Sequence, residues 1–150
     1  MKSKSAKYDI KIWWAIDSET WYPLNGQVYL GWLPIETREV NQRQRVVKDV
    51  TRKWLNKGKN ITADNFFTSN LLVTELLALK TTYSGTLRKN NAEIPQEFLP
   101  AKNREVYSTL FGHGIKITLL SYVPKKSNAV CVLTTMSHDR SITEEEDKKS

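Results

Sequence analysis

The segment of residues 60–87 constrains the fold of this chain most. The spacing of its apolar residues changes twice, from that of a strand to that of a helix and back to that of a strand. Residues 60–63 are typical of a short strand, and residues 81–87 are typical of another. Between them, Ser69 is a suitable N-cap for a helix with one apolar stripe, formed by Leu72, Leu76 and Leu79. A strand, a helix and a strand in this order predict a mixed sheet with helices packed on it.

The preceding residues add a hairpin and a helix. Residues 8–17 alternate as in a strand with apolar side chains on both faces, so both faces are suited to burial. Residues 17–20 are a hairpin loop in this interpretation, and residues 22–30 return as a second strand. Residues 38–55 have the spacing of a helix, with one apolar face formed by Val46, Val47, Val50 and Trp54. The order β-β-α-β-α-β predicts the α/β class.

The character of the chain changes near residue 90, where we predict a boundary. Residues 115–135 alternate on both sides of a turn at residues 124–128, which predicts a β-hairpin. The last residues, from 139 onward, have few apolar side chains and many charges of both signs. Such a composition is typical of a disordered tail.

The net charge of +7 favours an anionic partner. Nucleic acid is the commonest partner of this kind, and an anionic membrane is the next, although solubility alone explains the charge equally well. No stretch approaches the about 18 apolar residues of a membrane-spanning helix, so we predict no membrane partner. The single cysteine, Cys131, excludes a disulfide within the chain and a cysteine-based zinc site.

Asp64 is the first candidate for chemistry, because it follows a predicted strand and precedes a predicted helix. Ligand sites of α/β sheets lie at the carboxyl ends of strands. Carboxylates there suit Mg²⁺ or Mn²⁺, and two such ions can activate water against a phosphodiester. The alternative is a local role, as a loop or helix-capping aspartate. Asp17, at the end of the first strand, is a second candidate, and its alternative is an ordinary turn residue.

Basic residues form two candidate phosphate-binding patches. Residues 41–60 hold one acid, Asp49, among seven cations, four of which we take as candidate DNA contacts: Arg43, Arg45, Arg52 and Lys53. A solvated helix face explains the same charges, and Asp49 is expected to pair with basic residues of its own helix. The second patch is Arg88 and Lys89, at the end of the strand that follows the Asp64 helix.

Four segments resemble sequence motifs of piggyBac-like transposases, in the same order as in that family. Residues 7–18, KYDIKIWWAIDS, are similar to the family segment K-Y-G-I-K-I-W-W-x-x-D-S. Residues 60–69, NITADNFFTS, are similar to the signature N-[IV]-T-x-D-N-[FW]-F-T-S. Residues 85–95 resemble G-T-[LV]-R-x-N-x-x-E-I-P, and residues 120–126 resemble L-V-S-Y-x-P-K-K. The resemblance covers about residues 7–135.

The resemblance implies a DDE transposase with an RNase H-like core, an enzyme that cuts and rejoins DNA with Mg²⁺ or Mn²⁺ held by three aspartates. Asp64 matches the second of these aspartates. Asp17 matches a recurrent family position that is not one of the three, which implies a structural role. Arg88 matches a position where the core gives way to a β-rich insertion domain and is suited to DNA contact.

Two family motifs are absent, T-[IV]-D-E with the first aspartate and G-G-V-D with the third. We therefore expect a transposase fragment that is inactive by itself and binds metal weakly. Its expected parts are a partial RNase H-like core without its first strand, a β-rich insertion subdomain and a disordered tail, at residues 1–90, 91–138 and 139–150.

The complete enzyme would act in the nucleus on transposon ends and target DNA, and a homodimer is a further prediction. The alternative function is that of a domesticated, transposon-derived protein without catalysis, which binds DNA or a protein partner.

Overall fold

A computed structural model describes residues 10–29 and 41–137 of the chain. The chain divides into two compact units, Met1–Lys57 and Gly58–Ser150. The predicted tail from residue 139 lies outside the described residues. None of the helices within the described ranges is long and apolar enough to cross a membrane.

The first unit contains a two-stranded antiparallel hairpin and a helix. Strand β1 spans Lys11–Ile16, strand β2 spans Pro23–Tyr29, and helix α1 spans Gln42–Thr51, followed by a short 3-10 helix, Arg52–Trp54. The helix buries the valines that its sequence spacing predicts: Val46, Val47 and Val50. The Asn25 side-chain amide joins hairpin and helix by donating a 3.0 Å hydrogen bond to the Val50 carbonyl.

The two faces of β1 differ in exposure, whereas the sequence predicts that both are suited to burial. Trp13 and Ala15 are half-buried, whereas Trp14 and Ile16 are each 53% exposed. The Trp14 ring lies over Gly26 of β2, where a Cβ atom would come within 2.7 Å of the ring. The alternation therefore predicts the strand correctly but does not show which face is covered.

The second unit is a five-stranded mixed sheet, and its strands are β3 Asn60–Ala63, β4 Thr82–Leu87, β5 Thr109–His113, β6 Thr118–Lys125 and β7 Asn128–Thr134. Their order in the sheet is β3-β4-β7-β6-β5. The strands β3 and β4 are parallel and the other neighbouring pairs are antiparallel. Helix α2 spans Asn70–Ala78, joins β3 to β4 and packs on β4.

The core of the second unit lies around α2 and β4. Leu72 and Leu76 of α2 and Tyr83 of β4 are fully buried. The segment after β4 contributes Ile94 and Phe98, and the Phe98 ring packs against Gly112 of β5. The α/β class and the mixed sheet predicted from the sequence are confirmed, and they are consistent with a partial RNase H-like fold.

The structural division lies at residues 57 and 58, and the boundary near residue 90 stays a prediction. Residues on both sides of 90 belong to one sheet, because β4 pairs with β7 from Ser84↔Thr134 to Leu87↔Cys131. The hairpin predicted at residues 115–135 is present as β6 and β7. It forms the middle of the sheet rather than a separate layer.

Candidate metal and nucleic-acid site

Asp64 follows β3 directly, at the carboxyl end of the parallel pair β3–β4. Ala63 pairs with Gly85, so the chain at Asp64 runs beside the second half of β4. The Asp64 side chain is exposed, and its Oδ1 accepts a 2.9 Å hydrogen bond from the Phe66 N–H. Oδ2 accepts no hydrogen bond from the described part of the chain, so one carboxylate oxygen is available to a cation.

The Asp64 backbone is held by the turn that follows it. Its carbonyl accepts hydrogen bonds from the Phe67 and Thr68 N–H groups, and a third of 2.8 Å from the Thr68 hydroxyl. The Tyr83 hydroxyl lies 3.0 Å from the same Thr68 oxygen. Since the Thr68 hydrogen is used toward Asp64, Tyr83 is the donor in that contact. A buried side chain of β4 therefore supports the turn that positions Asp64.

The Tyr83 phenol is fully buried, and its environment favours the neutral form. Burial raises the pKa of the Tyr83 phenol above its ordinary value of 10.0; a hydrogen bond that Thr68 can donate to the ionised phenolate opposes this rise, and the charge of Asp64 adds to it. The folded protein therefore holds the phenolic proton more tightly than the unfolded chain does. The resulting stabilisation is fully present below pH 10.0 and is lost as pH rises through the folded-state pKa.

We expect Tyr83→Phe to remove part of this alkaline loss of stability. At neutral pH the substitution should lower the free energy of unfolding by about 1 kcal/mol, since it deletes one buried hydrogen bond. Above pH 10 the wild-type free energy should fall more steeply with pH than that of the variant. Urea unfolding at a series of pH values measures both effects, with Tyr107→Phe at a 73% exposed position as the control. If the free energy of unfolding fell equally steeply with pH in wild type and Tyr83→Phe, the raised pKa of Tyr83 would be contradicted.

Gly85 provides the space in which this turn packs on β4. A Cβ atom at Gly85 would lie 2.4 Å from the Thr68 hydroxyl oxygen and 2.8 Å from the Ala63 carbonyl oxygen. Both distances are too short for any real Cβ contact, and one of the atoms belongs to the backbone. The close approach of β3, β4 and the Asp64 turn therefore requires glycine at this position.

Arg88 lies at the same end of the sheet as Asp64. It follows β4, is exposed, and its guanidinium carbon lies 5.5 Å from the centre of the Phe66 ring. Phe66 is also the residue whose N–H binds the Asp64 carboxylate. Lys89 is exposed as well, and its amine contacts the Asn128 side-chain oxygen at the start of β7. The structure thus brings together three of the sequence-predicted site residues: Asp64, Arg88 and Lys89.

Two of the candidate cations of the first unit are paired with an acidic side chain. Arg45 and Arg52 form salt bridges with Asp49, at 2.8 Å and 2.5 Å. Burial acts to raise the pKa of the Asp49 carboxyl, but the hydrogen bonds and charges of both arginines outweigh it and lower the pKa below its usual value. The predicted ion pairing of Asp49 within its helix is confirmed. Arg43 in α1 and Lys53 in the 3-10 helix are exposed.

Asp17 lies in the turn between β1 and β2. Its carboxylate accepts hydrogen bonds from the N–H and the hydroxyl of Thr20. Its backbone also closes the turn, since the Asp17 N–H donates to Tyr22 and its carbonyl accepts from Trp21. The turn role that the sequence allows is present in the structure.

The described residues do not form a complete metal site. No group of three or more His, Cys, Asp or Glu side chains lies close enough to hold an ion within residues 10–29 and 41–137. Asp64 offers an exposed carboxylate oxygen of the kind that Mg²⁺ and Mn²⁺ prefer. These residues therefore fit one ligand of a metal site and not the whole of it.

A family model described as Transposase IS4 matches residues 1–150, the full length of the chain. This chain belongs to that transposase family. A solved piggyBac transposase, in a cryo-EM structure of its synaptic complex with hairpin DNA, is similar to it with 37% sequence identity and a TM-score of 0.83. The similarity covers 96% of this chain and 30% of the solved one. A comparison with curated proteins finds no match.

The resemblance to piggyBac-like DDE transposases is thereby confirmed, and the chain spans about a third of the solved transposase. Sequence reasoning did not identify the supporting residues Thr68, Tyr83 and Gly85. Thr68 stands within the motif of residues 60–69, but its partner Tyr83 is 15 positions away, so only the fold shows their contact.

Proposed function

We propose that this chain is a fragment of a piggyBac-type DDE transposase and contributes one of the carboxylates that bind the catalytic metal ions. The contacts of Phe66 support this proposal best. Its N–H binds the Asp64 carboxylate, and its ring lies beside the Arg88 guanidinium. A candidate metal ligand and a candidate phosphate ligand therefore share the carboxyl end of the parallel strands, which is where α/β sheets bind ligands.

The complete enzyme would act on transposon ends and target DNA in the nucleus. Divalent ions in such enzymes activate the attacking water and stabilise the leaving oxygen of the phosphodiester. Asp64 would supply an oxygen ligand, and Arg88 would bind a phosphate beside it. Because one carboxylate cannot hold a pair of ions, we expect the isolated chain to be inactive.

DNA binding by the isolated chain is the first test of this proposal. We expect the affinity for duplex DNA to fall with salt, because cations that neutralise phosphates release counterions. Arg88→Gln should lower the slope of log affinity against log salt by about 0.9, the value for one phosphate contact. Fluorescence anisotropy with a labelled duplex measures this slope.

Lys116→Gln is the matched control, because it removes one exposed charge from the β5–β6 turn at the opposite end of the sheet. It should leave the slope unchanged. Absence of salt-dependent binding, or equal effects of the two substitutions, would contradict the proposed role of Arg88.

A further inference from the structure

The sheet register brings a second pair of cations to the end of the sheet that holds Asp64. Lys125 pairs with Asn128 across the β6–β7 turn, and Lys126 is the next residue in that turn. The Lys89 amine contacts the side chain of the same Asn128. The β4 end and the β6–β7 turn are therefore neighbours, although 39 positions separate Lys89 from Asn128.

The four cations at this end of the sheet are exposed: Arg88, Lys89, Lys125 and Lys126. The turn that holds the two lysines is fixed on both sides by strands that run through the middle of the sheet. Besides Asp64, the acid Glu93 belongs to this end, where its carboxylate accepts a hydrogen bond from the Asn70 N–H at the start of α2. We call the four cations the basic rim.

The distance from Asp64 to the far end of the basic rim suits a nucleic-acid backbone. Asp64 follows β3, Arg88 and Lys89 follow β4, and Lys125 ends β6, the fourth strand in the order β3-β4-β7-β6. Three spacings of about 4.8 Å separate the first of these strands from the last, about 14 Å in all. That length corresponds to about four base pairs of duplex DNA, at about 3.4 Å per phosphate along each strand.

We propose that Lys125 and Lys126 bind backbone phosphates of the duplex whose reacting phosphate lies at Asp64. The inference rests on the proposed function and extends it to a second contact, about four base pairs from Asp64. An anionic membrane suits the basic rim less well, because its continuous negative charge would also face the carboxylates of Asp64 and Glu93 and repel them. A DNA backbone presents separate phosphates, which can meet the cations and bypass the acids.

The test compares two double variants of the full chain that remove the same charge. Lys125→Gln with Lys126→Gln removes the turn lysines, and Lys80→Gln with Lys116→Gln removes two exposed lysines from the opposite end of the sheet. The first pair should lower the salt slope of duplex binding by about 1.8, or two phosphate contacts, and the second should leave it unchanged. Over a fourfold rise in salt, the affinity of the first variant should fall about twelvefold less than that of wild type.

The outcomes separate this inference from the proposed function. If Arg88→Gln lowers the slope but the turn variant does not, the inference fails and the proposed function stands. Equal effects of the two double variants would overturn the inference, because only total charge would matter. Loss of binding to phosphatidylserine vesicles, with unchanged DNA binding, would assign the turn lysines to a membrane instead. A wild-type chain without salt-dependent DNA binding would overturn both proposals.

Discussion

Gly85→Ala is expected to destabilise the second unit by about 3 kcal/mol, the upper range for an overpacked core position. The added methyl group would collide with the Thr68 hydroxyl and with the Ala63 carbonyl, and the latter cannot move without distorting β3. Relief of the collision requires β3 and the Asp64 turn to move away from β4. The hydrogen bond between Thr68 and Tyr83 would be lost with this movement.

Thermal unfolding measures the predicted effect, which corresponds to a fall in Tm of about 15 °C for a unit of this size. Gly114→Ala is the matched control, because its Cβ atom would meet only the Ile117 carbonyl at an ordinary 3.6 Å. We expect the control to change Tm by only a few degrees. A Gly85→Ala variant as stable as the Gly114→Ala control would show that β3 and β4 do not approach as closely as described.

The elements that the sequence predicts well are those whose signals are local. Ser69 is predicted as the cap of α2, and its hydroxyl accepts a 3.2 Å hydrogen bond from the Leu72 N–H. The strand before Asp64 and the strand that ends at Leu87 are present for the same reason, since a few neighbouring residues determine them. The position of Asp64 at a strand end follows from these local patterns.

The features that the sequence does not predict depend on contacts between distant residues. Strand β5 was not predicted, and its sequence, TLFGH, has no clear alternation. The pairing of β4 with β7 joins residues 50 positions apart, as the Ser84–Thr134 hydrogen bond shows. Periodicity reports which residues share a face, but it contains no information about which strand lies beside which.

The candidate site shows the same limit. Charge counting places Arg45 and Arg52 among the phosphate ligands, but both are engaged by Asp49. Conversely, charge counting does not place Lys125 and Lys126 among the phosphate ligands, whereas the sheet register brings them beside Lys89. The availability of a cation to a ligand depends on its partners in the fold, and composition does not show these partners.

Asp64→Asn is expected to abolish metal-dependent DNA cleavage in a complete transposase that contains this segment. Asparagine keeps an oxygen that can accept the Phe66 hydrogen bond, so the turn should be retained. It removes the negative charge that a divalent ion requires. A loss of about a thousandfold corresponds to roughly 4 kcal/mol of transition-state stabilisation, which is within the contribution of a catalytic metal ion.

Asp17→Asn is the matched control, because it makes the same chemical change in the turn of the first unit. Its amide oxygen can still accept the hydrogen bonds of Thr20, so cleavage activity should be retained. A large loss of activity in this control would assign Asp17 to the site and contradict its structural role.

The proposed metal-binding role of Asp64 is tested by cleavage of transposon-end DNA, with Mg²⁺, by a piggyBac transposase whose matching segment is replaced by this chain. We expect the chimera to cleave, its Asp64→Asn form to lose activity about a thousandfold, and the isolated chain to be inactive. If the Asp64→Asn chimera cleaved DNA at the rate of the unsubstituted chimera, the proposed role of Asp64 as a metal ligand would be contradicted. Metal-dependent cleavage by the isolated chain that Asp64→Asn abolishes would contradict the expected inactivity of that chain.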